Sequence, residues 1–129
     1  MASTQRDVAT LLGATVVGIS YDGARLSVVS DEHGVVHVVG EIDAFSAPSL
    51  RAALEPFSTP TSHLVLDLSE VTFIGSAGVT ELIRLRDRLR GRLEIRSPSR
   101  LVWRVLVAAG VVTQLGVASP REARVRRAS

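Results

Sequence analysis

Arg25-Leu26-Ser27-Val28-Val29-Ser30, Asp31-Glu32-His33-Gly34 and Val35-Val36-His37-Val38-Val39 are the stretch that decides the fold. Two β-branched runs flank a four-residue turn ending in glycine, which is the pattern of an antiparallel hairpin. The second run is apolar almost throughout, so it belongs near the centre of a sheet covered on both faces.

Downstream of the hairpin, strand and helix patterns alternate. Gly40-Glu41-Ile42-Asp43 is a loop. Ser46-Ala47-Pro48 is a helix start with serine as cap and proline in the first turn. Phe45 and Leu50 are placed to form a hydrophobic staple across that start. His63 to Leu68 reads as a buried strand, and 69–74 as an irregular approach to Gly75-Ser76-Ala77-Gly78. A helix runs from there to about Arg90, with Val79, Leu82, Ile83, Leu85 and Leu89 on its apolar face. Gly91 stands at its C-terminal cap position. Leu93 to Arg96 is a short strand, a helix follows Ser99 and ends at Gly110, and Val111 to Val117 is expected as a last short strand. The order β-β-α-β-α-β-α-β predicts an α/β domain over residues 25–117, with a mixed sheet that starts as an antiparallel hairpin and helices packed against it. Gly13, Gly18 and the Tyr21-Asp22-Gly23 turn break up residues 1–24, which read as an N-terminal extension with room for a short helix or strand laid against the body. Residues 118–129 read as a basic tail.

The 129 residues suffice for one domain with its own core. Without cysteine there is no disulfide, thiolate nucleophile or cysteine-held metal, as befits a cytoplasmic chain. No apolar run reaches the roughly 18 residues of a membrane span, and no signal peptide or anchor is read. All 15 basic residues are arginine, which removes Walker A and Schiff-base chemistry. Residues 1–80 carry three arginines against nine acids, a net of −6; residues 81–129 carry twelve against four, a net of +8. This asymmetry suits nucleic acid or an acidic partner. No aromatic residues interleave with the arginines as a stacking platform requires, so a solvated arginine face and a basic tail are the expectation, with no direct nucleic-acid partner.

Little catalytic chemistry is on offer. Residues four apart on a strand lie about 13 Å apart, too far for His33 and His37 to share a metal. All three histidines read as surface or strand-edge residues. Gly75-Ser76-Ala77-Gly78 fails as a nucleophile elbow because Ile74 stands where that motif needs glycine, and no histidine follows His63. What remains is a serine at a helix start. Ser76 reads on local chemistry as a helix cap, and a phosphate on it would lie where unpaired N–H groups and the helix dipole favour negative charge.

Val38-Val39-Gly40-Glu41-Ile42-Asp43, Leu64-Val65-Leu66-Asp67-Leu68-Ser69 and Phe73-Ile74-Gly75-Ser76-Ala77-Gly78-Val79 together resemble the STAS domain of bacterial anti-sigma factor antagonists in order and spacing. The resemblance implies a non-enzymatic regulator that needs no cofactor or metal. Such a protein binds an anti-sigma factor, a serine kinase of the histidine-kinase-like ATPase fold, and so frees a sigma factor for transcription. The implied contact surface is the loop Glu41–Ala44, with Asp43 at the family's acidic loop position, the turn Phe73–Gly78, with Gly75, Ser76, Ala77 and Gly78, and the exposed face of the helix after it. Ser76 matches the serine that the kinase phosphorylates and a metal-dependent Ser/Thr phosphatase restores. Many members carry aspartate where this chain has Gly75. A second reading is a STAS scaffold subunit of a signalling or lipid-transport assembly, in which Ser76 is only a cap.

Overall fold

The computed structural model describes residues 3–119. Its elements are α1 (Ser3–Leu12), β1 (Val16–Asp22), β2 (Leu26–Asp31), β3 (Val35–Ile42), α2 (Ala47–Leu54), a 3-10 turn (Glu55–Phe57), β4 (Leu64–Ile74), α3 (Ser76–Arg88), β5 (Leu93–Arg96), α4 (Arg100–Ala109) and α5 (Val112–Leu115). The five strands form one sheet in the order β1-β2-β3-β4-β5. β2 pairs antiparallel with both β1 and β3, and β3, β4 and β5 run parallel. The expected mixed sheet is therefore present, with Val35–Val39 in its central strand.

Strand alternation sorts the side chains between two faces. Leu26, Val28, Val36, Val38, Leu64, Leu66 and Leu68 point into one apolar core, which Leu50, Leu54, Leu82, Leu89, Val102 and Leu106 close from the helices. Each such burial contributes about 1.5–3 kcal/mol. The basic tail expected from 118 onward lies outside the described residues beyond Ser119. Among the described residues no helix is long and apolar enough to cross a membrane.

Four local expectations are corrected. Val16–Asp22 is the strand for which the extension left room, but it runs on through Tyr21 and Asp22, which were read as a turn, and pairs antiparallel with β2 as the sheet's edge strand. Two register irregularities interrupt that pairing, which is why no clean alternation shows in the sequence. Residues 69–74 are not irregular: β4 runs through them to Ile74. The segment after Gly110 is helical and not a strand. Val111 and Leu115, four apart, are both buried, and Gly116 closes the turn at φ 67°.

Fourth, His37 is neither a surface nor an edge residue. It is buried in β3, and its Nε2 lies 2.8 Å from Asp31 Oδ2. The other carboxylate oxygen, Oδ1, accepts from the N–H groups of His33 (2.8 Å) and Val35 (3.0 Å). One aspartate thus closes the hairpin turn and partners the histidine. Burial raises the Asp31 pKa, but the hydrogen bonds from His37, Val35 and His33 outweigh it and hold the carboxyl below its ordinary value.

Candidate functional site

Because β3 and β4 are parallel and β2 is antiparallel to β3, the ends of β3 and β4 and the start of β2 meet at one edge of the sheet. Glu41 pairs with Phe73 and Ile42 with Ile74. The Gly75 N–H donates to the Ile42 carbonyl at 2.9 Å, so the turn into α3 is fastened to the end of β3. The loop Glu41–Ala44 and the turn Phe73–Gly78, expected from the sequence to form one surface, are side by side.

The glycines of this edge have different reasons to be glycine. Gly40 has φ 111°, and a Cβ there would lie 2.0 Å from the Arg25 carbonyl oxygen. Only glycine lets β2 and β3 approach so closely. At Gly78 a Cβ would lie 2.7 Å from Ile42 Cγ2 and 2.7 Å from Ile74 Cγ1. Glycine here seats the first turn of α3 directly on the ends of both strands. Gly75 is extended, with φ −101° and ψ −176°, and a Cβ would meet only the Phe73 ring at an ordinary 3.5 Å. Position 75 therefore has room for a side chain.

Asp43 organises the loop. Its Oδ1 accepts from the N–H groups of Phe45 (2.9 Å) and Ser46 (2.8 Å), and its Oδ2 accepts from Arg25 Nη1 at 2.9 Å. The Asp43 N–H donates to Ser46 Oγ, which itself donates to the Glu41 carbonyl at 2.8 Å. The Ser46 N–H, followed by the Ser46 hydroxyl, Arg25 and the Phe45 N–H, holds the Asp43 carboxyl below its ordinary value against a smaller desolvation effect. Ser46 thus occupies the α2 cap position as expected, but its hydroxyl closes the loop and makes no capping bond to the helix. The staple also fails to form: Phe45 is 83% exposed. Its ring lies under the Arg25 guanidinium instead, 5.9 Å from centroid to cation. The sequence reading gave neither residue a place in the site, Phe45 only as a staple and Arg25 only as the start of a strand, and Arg25 stands 18 residues from Asp43 with no local motif to join them.

Ser76 is the first residue of α3, and Gly75 is its N-cap. Reading Ser76 as the cap is thereby corrected: no side-chain capping bond is made, and the serine is exposed. The first intrahelical bonds run from Gly78 and Val79 to the Gly75 carbonyl. The N–H groups of Ser76 and Ala77 lie ahead of them, where a helix has unpaired donors and a positive end. Glu41 is exposed beside this turn, and Gly78 is buried beneath it.

A five-stranded sheet with parallel β3 and β4, and a loop and a helix-start serine fastened together at their ends, define a small α/β domain. The STAS domain model matches residues 25–122, and the chain belongs to the STAS domain family. It is similar to "Osmosensory protein A" of Mycobacterium tuberculosis, 30% identical over 99 residues, covering 76% of this chain and 58% of the relative. It is also 34% identical over 62 residues to "Anti-sigma-B factor antagonist" of Listeria monocytogenes, covering 47% of this chain and 54% of that one. The chain thus spans a little over half the length of these curated relatives. Among solved structures, an anti-sigma factor antagonist from Mycobacterium paratuberculosis superposes with TM-score 0.57 at 25% identity, covering 87% of this chain and 92% of the other.

Proposed function

We propose that this protein is an anti-sigma factor antagonist: it binds an anti-sigma factor through the edge formed by loop 41–46 and turn 73–78, and phosphorylation of Ser76 releases it. The observation that carries the reading is Ser76 itself, exposed at the first position of α3 and fastened beside the Asp43 loop by the Gly75–Ile42 hydrogen bond. The family and its anti-sigma factor antagonist relatives support the general role. The partner is a serine kinase of the histidine-kinase-like ATPase fold, and a metal-dependent phosphatase resets the serine.

The physics of the switch is local. A phosphate adds about −1.5 to −2 charges at neutral pH. At Ser76 it would lie against unpaired N–H groups at a positive helix end, so the domain tolerates it. A partner packed over the turn would have to desolvate that charge, and the complex loosens. The protein's part is binding and not catalysis.

The test is incubation of the full chain with the host's anti-sigma kinases and ATP, followed by intact mass and a binding assay. Transfer of one phosphate to wild type but not to Ser76→Ala, with loss of binding on transfer, is the expected result. Labelling of Ser76→Ala as strongly as wild type would place the phosphoacceptor elsewhere. Binding without labelling would favour the scaffold reading, for which Gly75 in place of an acidic neighbour is the relevant departure.

A further inference from the structure

Two of the three phenylalanines stand exposed at the edge that carries Ser76, Phe45 at 83% and Phe73 at 44%. Phe57, the third, packs against the core. Phe73 pairs in register with Glu41, and Ile74 with Ile42. Ile42 and Ile74 are buried in the core beneath the helices, so strand alternation turns Glu41 and Phe73 to the opposite face of the sheet. Arg25 lies on the other side of Glu41, its carbonyl accepting the Glu41 N–H at 2.9 Å. The Arg25 guanidinium in turn stands over the Phe45 ring. Phe45, Arg25, Glu41 and Phe73 are all exposed and form one strip at the start of β2 and the ends of β3 and β4. Two strand spacings put Arg25 and Phe73 about 10 Å apart along it.

The fold gives no reason for this strip. The same sheet face is buried at its other end, at Val29, Val35 and His37. Single exposed apolar side chains are common on soluble proteins, but aromatic rings gathered in one strip mark a surface that a partner covers. The charges of the strip are unequal. Arg25 is engaged by Asp43, whereas the Glu41 carboxylate has no ion pair among the described residues. We propose that the partner's contact continues from the Ser76 turn onto the sheet face opposite the helices, where Phe45 and Phe73 seat in apolar pockets and Glu41 between them meets a basic side chain. The inference rests on the antagonist reading for the partner's identity and adds where that partner sits and with what chemistry. It differs from a contact running along α3, whose exposed positions beyond Ser76, namely Thr80, Arg84, Asp87 and Arg88, are polar throughout.

The experiment mixes the isotope-labelled full chain with each purified anti-sigma kinase of the host, with ADP in place of ATP so that Ser76 stays unmodified. Expected with the kinase that binds are amide shifts at Arg25, Glu41, Phe45 and Phe73 as well as at the Ser76 turn, fading before Arg84. Phe73→Ala and Glu41→Arg should each weaken binding roughly tenfold or more. Glu41→Gln should weaken it less and flatten its dependence on salt. Both positions are exposed, so melting temperatures close to wild type separate lost contact from lost fold. Shifts that run down α3 to Arg88 and leave out Phe73, or wild-type affinity in Phe73→Ala, would overturn the inference and leave the antagonist reading intact. Wild-type affinity in Glu41→Arg would overturn the basic contact. Binding of wild type to none of the kinases would overturn the antagonist reading itself, and the inference with it.

Discussion

A Cβ on Gly78 would lie 2.7 Å from both Ile42 Cγ2 and Ile74 Cγ1, so the first turn of α3 rests directly on the last residues of two parallel strands. That contact sets the height of Ser76 above the sheet edge. It also separates the glycines of the motif into one the fold requires and one it does not.

Gly78→Ala should therefore destabilise the domain by about 1–3 kcal/mol, because buried Ile42 and Ile74 have little freedom to withdraw. Gly75→Asp should be neutral or stabilising by a few tenths of a kcal/mol, since its Cβ fits and aspartate caps a helix better than glycine. Urea unfolding of the two variants reads the contrast. Equal losses in both would mean that the packing of α3 on β3 and β4 is wrong.

Acid should loosen the structure in a defined window. Asp31, Asp43 and Glu81 all have folded-state pKa values below their ordinary ones, held down chiefly by His37 and turn N–H groups, by Ser46 and by Arg51 respectively. The unfolded chain then binds more protons, so the stabilisation is full above the unfolded value near pH 4 and is lost as pH falls through the folded values. The melting temperature should drop steeply below about pH 4, and less steeply in Asp31→Asn. Asp31→Ala, which strips both the turn and the buried His37 of their partner, should cost about 3 kcal/mol at neutral pH. A flat melting temperature down to pH 3 would contradict the assigned pairs.

How far the sequence foretold this arrangement depended on where the period of burial held. It held in α3 and α4, while β2 and the first half of β3 are buried almost continuously, the mark of strands covered on both faces, and all four were read correctly. In β4 the buried positions step by two through Leu64, Leu66 and Leu68, then by three to Val71 and again to Ile74. The register with β3 slips twice over that stretch, so a continuous strand looked irregular. At Val111–Val117 the β-branched residues suggested a strand, while the four-residue spacing of Val111 and Leu115 and a left-handed glycine made a helical turn. For the site, the motifs placed Asp43 and Ser76 at one edge by resemblance to relatives. Arg25 could not be found that way, because the fold alone brings it to Asp43.

Ser76 substitutions should separate binding from stability. The side chain makes no capping bond, so Ser76→Ala should change the unfolding free energy by less than about 0.5 kcal/mol. Ser76→Glu, an acid at a helix N-terminus, should match or slightly exceed wild-type stability. Ser76→Glu should nonetheless weaken anti-sigma factor binding at least tenfold, about 1.4 kcal/mol. Calorimetric titration beside thermal melts measures both. A large loss of stability in Ser76→Ala would show that the serine has a structural role at the helix start.

Phe45 should be the sharpest probe of the proposed interface. A large aromatic side chain left 83% exposed contributes little to the fold, and burying it in a partner's pocket would recover its hydrophobic contribution on binding. Arg25 holds the arrangement ready: one guanidinium nitrogen bonds Asp43 Oδ2 at 2.9 Å while the cation lies over the ring. Aromatic side chains, phenylalanine among them, are enriched at protein interfaces relative to the rest of the surface. Phe45→Ala should keep its unfolding free energy within about 0.5 kcal/mol of wild type and lose about 2 kcal/mol of anti-sigma factor affinity, roughly 30-fold. Arg25→Ala should weaken binding less. The double variant should lose less than the two single losses combined, because both act through one ring and one loop. A Phe45→Ala protein that binds like wild type would remove the loop 41–46 from the interface and leave the turn at Ser76 to account for recognition alone.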